Sequence, residues 1–185
     1  MKYATIFRRV LLVGLIAGSI VFSCGMGKQD GTAVTTSPSP IKVYSAEKGG
    51  YIMSETVVKT KEEWKRLLTS EQFYILREKG TERAFSGKYD QNHAHGIYRC
   101  AGCGLDLYRS ADKFDSGTGW PSFTAPIAAE NIITRPDNTL FTRRTEVLCR
   151  RCEGHLGHVF DDGPKPTGLR YCMNSAALQF VETKK

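Results

Sequence analysis

The chain has 185 residues, six of them cysteine, with 41% hydrophobic and 10% aromatic content, which suits one domain of ordinary size plus an appendage and is too apolar for a wholly disordered chain. A mean hydropathy of −0.33 with 24% charged residues excludes a protein of many membrane spans. The formal net charge is +7, but Lys2, Arg8 and Arg9 lie in a first stretch of 23 residues without an acid, and the other cations are scattered in short runs such as Arg143-Arg144 and Arg150-Arg151, so no nucleic-acid footprint is expected.

In chain order, a basic start is followed by an almost wholly apolar run of 13 residues, Val10 to Phe22. A helix crossing a bilayer needs ~20 such residues, so the run predicts an export signal over 1–23, with an uncleaved anchor as the alternative. Val21-Phe22-Ser23-Cys24 resembles the lipobox of bacterial lipoproteins, although Phe22 is larger than the residue usual there. The resemblance implies lipidation of Cys24 and a chain anchored to the bacterial cell envelope, facing the periplasm or the exterior, rather than spanning a membrane. The Gly-, Thr-, Ser- and Pro-rich stretch that follows, to about Ile41, has no apolar periodicity. Residues 24–45 are therefore expected to form a flexible tether, with the folded domain at 46–185.

Thr60-Lys-Glu-Glu63 and Thr69-Ser-Glu-Gln72 each set a hydroxyl three residues before Glu or Gln, the capping-box pattern. Two short helices are expected after them, the first facing inward through Trp64, Leu67 and Leu68. After Gly87 the chain breaks into short apolar runs at 96–99, 105–108, 146–148, 158–160, 169–174 and 178–182, separated by Gly, Pro, Asp and Asn. The expected fold is mainly β, two antiparallel sheets with helices at the N-terminal end.

Cys100-Ala-Gly-Cys103 and Cys149-Arg-Arg-Cys152 are two CxxC knuckles, a pattern that suits a closed tetrahedral zinc site with a structural role. Disulfides are the alternative for an exported chain. With four thiols assigned to metal and Cys24 to lipid, Cys172 is left. Arg170, Cys172 and Asn174 alternate along a predicted strand and would share one face, with Tyr171 and Met173 on the other. A neighbouring guanidinium would lower the thiol pKa; the plainer reading is a small core cysteine. His155 and His158 follow the second knuckle and are suited to proton transfer, with Gly157 a site for the bulge that would bring both to one face; a structural or metal-side role is equally open. The glycine-rich loop from Phe114 to Phe123 ends in Trp120, held by Pro121, which either floors an apolar pocket or belongs to the core.

The segments GTERAFSGKY, GIYRCAGCG, KFDSGTGWPSF, CRRCEGHLGHVFDDGP and RYCMNSAAL, in that order, closely resemble the methionine-R-sulfoxide reductases over about Thr60 to Phe180. The resemblance implies a pair of antiparallel sheets and a structural four-cysteine zinc. It makes Cys172 the nucleophile toward the sulfoxide sulfur and gives a sulfenic acid on the enzyme. His155, His158 and Asn174 would surround the sulfoxide oxygen with His158 donating the proton, Arg170 would lie beside the thiolate, and Trp120 with Phe160 would hold the substrate's methyl side. Ala84 replaces a usual proline and the segment 91–95 diverges. Thr118 stands where many members carry a resolving cysteine, so a one-cysteine cycle completed by an external thiol is expected, with a thioredoxin-like envelope protein as reductant. The implied partners are oxidised proteins and a membrane, with the enzyme a monomer. The competing readings are a non-enzymatic zinc-held β module and a metallohydrolase using His155, His158 and Cys172.

Overall fold

The computed structural model describes residues 37–139 and 143–183. The expected signal at 1–23, Cys24 and most of the expected tether lie outside these residues. The last part of that tether, however, is a strand: β1 (Pro40–Ser45) pairs antiparallel with β2 (Gly50–Glu55). Ile41 and Val43 alternate inward along β1 and are buried, a two-residue periodicity too short to stand out behind the polar run before it.

The two capping boxes form as the sequence predicts. The Glu63 amide donates to Thr60 Oγ1 at 3.2 Å while Glu63 Oε2 accepts from the Thr60 amide at 2.7 Å, opening α1 (Lys61–Leu67). Thr69 and Gln72 repeat the exchange at the start of α2 (Ser70–Glu78). Trp64 and Leu68 are buried, but Leu67 is 60% exposed. The helix ends there and Leu68 caps it in an extended conformation, so the three residues do not keep one helical face.

The remaining strands are β3 (Gly96–Cys100), β4 (Asp106–Arg109), β5 (Lys113–Phe114), β6 (Ser122–Phe123), β7 (Ile132–Asp137), β8 (Arg144–Cys149), β9 (His155–Phe160), β10 (Arg170–Met173) and β11 (Leu178–Glu182). They form a six-stranded sheet in the order β5-β6-β10-β9-β8-β7 and a three-stranded sheet β11-β3-β4, antiparallel throughout. The mainly β, two-sheet expectation is borne out, with the β1-β2 hairpin added.

Aromatic side chains join the sheets. Phe123 of β6 stacks on Tyr108 of β4 with centroids 4.4 Å apart and meets Tyr98 of β3 edge-on at 5.0 Å; such pairs add about 0.5–1.5 kcal/mol beyond area burial. Met173 lies in the same core, its sulfur accepting from the Tyr108 hydroxyl at 3.2 Å. β10 thus turns Met173 inward and Cys172 the other way. Cys172 sits opposite His158 on β9 and Ser122 on β6, in the middle of the larger sheet.

Candidate active site and metal centre

Three features of the larger sheet bring the site together. The register of β8 against β9 slips between Val147 and Leu148, so three residues of β9, His155 to Gly157, face two of β8. This bulge turns both imidazoles to one side, with ring centroids 5.3 Å apart. Gly157 is required there, because a methyl on its Cα would run into the carbonyl oxygen of Cys172. The third feature is the loop before β6, in which Gly117 and Gly119 take φ of 69° and 85°, a conformation glycine adopts at low cost. It presents Trp120, whose indole Nε1 donates to the Glu82 carbonyl at 3.2 Å.

These elements enclose a cavity of about 220 Å³ lined by Thr81, Trp120, Arg144, Gly157, His158, Phe160, Cys172, Met173 and Asn174. Of the sequence-predicted site residues, Cys172, His158, Asn174, Trp120 and Phe160 therefore meet around one cavity. His155 is 3% exposed, and neither it nor Arg170 is among the lining residues. Asn174 falls just past β10, at the start of a 3-10 turn over 175–177, so it is not the third member of an alternating strand. Both ends of its side chain are held: Oδ1 accepts from the Glu82 amide at 3.0 Å and Nδ2 donates to the Leu156 carbonyl at 3.1 Å.

The expected lowering of the Cys172 thiol is overturned. Burial pushes its pKa up, and the opposing pull of Arg170, helped by the Thr118 and Ser122 hydroxyls, does not cancel it, so the thiol stays above the usual cysteine range. Arg170 also has a second partner. Its Nε and Nη2 each donate to an Asp162 oxygen at 2.8 Å, and its guanidinium lies 4.4 Å over the Phe160 ring. Beside the sulfur, Thr118 Oγ1 is 4.0 Å away and continues through Ser116 to Ser122 in 2.8 Å steps.

Several polar partners were not singled out by the sequence reading. His158 Nε2 is 2.8 Å from Asp137 Oδ2, which also accepts from Arg144 Nη2 at 2.8 Å. Hydrogen bonds from the Thr139 hydroxyl and amide, and from His158, hold the Asp137 carboxyl well below the usual range. His155 Nδ1 is 2.8 Å from Glu146 Oε1, and Glu146 Oε2 accepts from Lys79 at 2.8 Å. Burial pushes Glu146 up, but Lys79 and His155 outweigh it and leave it below the usual glutamate range. Burial lowers His155 despite the opposing pull of Glu146, which favours the neutral ring. Buried Glu82 receives the amides of Ser175 and Ala176 at 2.6 and 2.9 Å. It thereby ties the Trp120 indole and Asn174 to one residue. Glu146 is legible as an alternating strand position opposite His158; no local spacing connects Glu82 with Asn174, 92 positions away.

The four knuckle cysteines converge at the ends of β3 and β8, their sulfurs all within 4.8 Å of one another. Cys100 and Cys152 sulfurs are 3.6 Å apart, and those of Cys103 and Cys149 3.5 Å. A disulfide would need about 2.05 Å, whereas four thiolates bound tetrahedrally at ~2.3 Å sit about 3.8 Å apart. The donor set fits a metal ion and leaves no coordination position open. None of the four lines the cavity, and Cys172 is not part of the cluster.

Comparison with known proteins identifies relatives of the chain. A model of the SelR domain matches residues 68–182. Peptide methionine sulfoxide reductase MsrB of Thiobacillus denitrificans is 58% identical over 128 residues, 69% of this chain and 97% of that protein. The protein of the same name from Methanosarcina mazei is 53% identical over 126 residues, 68% of this chain and 90% of its own. Peptide methionine sulfoxide reductase B1, chloroplastic, of Arabidopsis thaliana is 50% identical over 152 residues, covering 82% and 72%.

Proposed function

The chain belongs to the MsrB family of peptide methionine sulfoxide reductases, and from that premise we propose how its own residues reduce methionine-R-sulfoxide in proteins to methionine. The observation that carries the reading is the meeting of Cys172, His158, Trp120 and Phe160 around one cavity. The rings of Trp120 and Phe160 form the apolar wall for the methyl side of the sulfoxide, which sets its sulfur over Cys172. The thiol gives up its proton as substrate arrives, and the thiolate attacks the sulfoxide sulfur. A proton delivered through His158 reaches the sulfoxide oxygen. The oxygen leaves the substrate sulfur, which is reduced by two electrons, and ends on the Cys172 sulfur, which is oxidised by two. Methionine departs and a sulfenic acid remains. Asn174 holds the Leu156 carbonyl and the Glu82 amide in place beside this centre.

The four knuckle cysteines are already spaced for a metal and Thr118 supplies no thiol. An external thiol therefore condenses with the sulfenic acid, releasing water, and a second one restores Cys172. Zinc is the ion that suits Cys100, Cys103, Cys149 and Cys152, and its contribution is to fasten the ends of β3 and β8. The N-terminal pattern supports lipidation at Cys24 and tethering in the bacterial envelope, where the enzyme would act as a monomer served by a thioredoxin-like reductant; a change of location on deleting 1–24 tests the tethering. The deciding assay offers R- and S-methionine sulfoxide peptides with a small dithiol. Turnover of the R form alone, abolished in Cys172→Ser, is expected. Turnover that survives Cys172→Ser would overturn the mechanism, and no turnover by the native chain would overturn the reading.

A further inference from the structure

The two histidines of the site are held by opposite nitrogens. His158 is tied through Nε2 to Asp137, and His155 through Nδ1 to Glu146, both at 2.8 Å. Each carboxylate is in turn fixed by a cation from another part of the fold: Arg144, directly across β7 and β8 from Asp137, and Lys79 at the end of α2. Ionised carboxylates only accept hydrogen bonds, so the ring nitrogen facing each one carries a hydrogen. This fixes which edge of each imidazole is left over.

We propose that Asp137 and Glu146 are positioning residues that give the histidines unequal tasks: Asp137 holds His158 so that Nδ1 serves as the proton-delivering atom, and Glu146 holds His155 so that Nε2 stays a bare acceptor. The proposal rests on the reductase reading above and assigns the roles within that site. Its second support is His155 Nε2 itself, which is buried and has no hydrogen-bond partner among the described residues. An orphaned buried polar atom costs about 1–3 kcal/mol, and here the bulge of β9 and the Glu146 bond hold the ring in that state. The neutral form of the buried ring leaves Nε2 with a lone pair, because its single hydrogen is on Nδ1.

During turnover the partner for that lone pair is created by the reaction. The Cys172 proton passes to His158 and from its Nδ1 to the sulfoxide oxygen, which becomes a hydroxyl while the substrate sulfur still carries it. Substrate binding must open the way from the cavity to His155, which does not line it in the free protein, and the hydroxyl then donates to His155 Nε2. It then transfers to the Cys172 sulfur as the substrate's sulfur–oxygen bond breaks. No proton is gained or lost overall: a thiol and a sulfoxide give a sulfenic acid and a thioether.

The test uses the full-length protein loaded with zinc and an R-methionine sulfoxide peptide. In the native enzyme, nitrogen-15 spectra of the imidazoles should show His155 with its hydrogen on Nδ1. Glu146→Gln offers an amide that can donate to Nδ1, which inverts the tautomer and removes the acceptor; Asp137→Asn removes the charge behind His158 while keeping an acceptor oxygen. Each should lower kcat by at least about tenfold, toward the ~10²–10⁴ span of general acid catalysis, with KM changed less than ~3-fold, and Asp137→Glu should recover part of the loss. A native His155 with its hydrogen on Nε2 overturns the proposal without recourse to any variant. So does native kcat in either folded variant, or a loss confined to KM. Absence of R-sulfoxide turnover by the native enzyme is a different result, which would remove the reductase reading itself.

Discussion

Replacing Thr118 by cysteine tests the one-cysteine cycle at the scale of a single interatomic distance. Thr118 Oγ1 stands 4.0 Å from the Cys172 sulfur, and a disulfide closes at about 2.05 Å. A sulfur in place of that oxygen must therefore approach by roughly 2 Å. The loop has the freedom to supply this, since position 118 lies between Gly117 and Gly119, both at positive φ. The opposing cost is the 2.8 Å hydrogen bond between Ser116 and Thr118, worth about 1 kcal/mol. A thiol held this close to the sulfenic acid acts at an effective concentration far above the millimolar level of an added reductant. The assay is one equivalent of R-sulfoxide peptide without reductant, followed by a sulfenic-acid trap, thiol counting and intact mass. The native chain should release one methionine and retain the trap on Cys172. The Thr118→Cys variant should release one methionine, lose two thiols, and show trapping reduced at least ~10-fold. A native Cys172 recovered in a disulfide with a knuckle cysteine would refute the reasoning, as would a variant that keeps the full trap signal.

Chelating the metal should lower the thermal midpoint of the domain by at least ~10 °C, because the metal binding energy is folding energy for the segments that it joins; a shift within ~2 °C would show that the cysteine cluster does not fasten β3 to β8. The Cys172 thiol, raised above 9.0 chiefly by burial, should be alkylated in the substrate-free enzyme about tenfold faster per pH unit from 7 to 9, and a plateau below pH 8 would contradict its burial. By linkage the same shift favours the folded state while the thiol is neutral, and that contribution fades as pH rises through the range where an unfolded cysteine, and then Cys172, ionises. Gly157→Ala places a methyl against the Cys172 carbonyl; forcing β9 from β10 should cost roughly 1–3 kcal/mol and up to ~10²-fold in kcat/KM, and urea unfolding with kinetics on the same sample would show whether both losses occur.

What the sequence made legible was local. The capping boxes at Thr60 and Thr69 are exchanges between residues three apart, and the CxxC knuckles are turns whose two sulfurs must lie close together. These needed no tertiary information. The reading of Cys172 went wrong where long-range effects compete: it counted Arg170, two residues away, but not the burial of the thiol between two neighbouring strands, which outweighs it. Asn174 escaped the strand pattern for a related reason. Its position is set by Glu82 and Leu156, which reach it from other parts of the chain, rather than by alternation along β10. Leu67 shows the limit at the other end of the scale, since one early helix stop was enough to turn a predicted core side chain outward.

The correction at Cys172 changes what Arg170 is for. Burial favours the neutral thiol at Cys172, and that form carries the proton that the sulfoxide oxygen will need. Attack and protonation then draw on the same proton, and an incoming sulfoxide brings both the electrophile and the base that completes the transfer. The bidentate pair with Asp162 holds the guanidinium 4.4 Å over the Phe160 ring, bracing the apolar wall. In this chain the arginine acts both on the shape of the methyl slot and on the charge of the sulfur, where its pull is the strongest against burial and still does not cancel it.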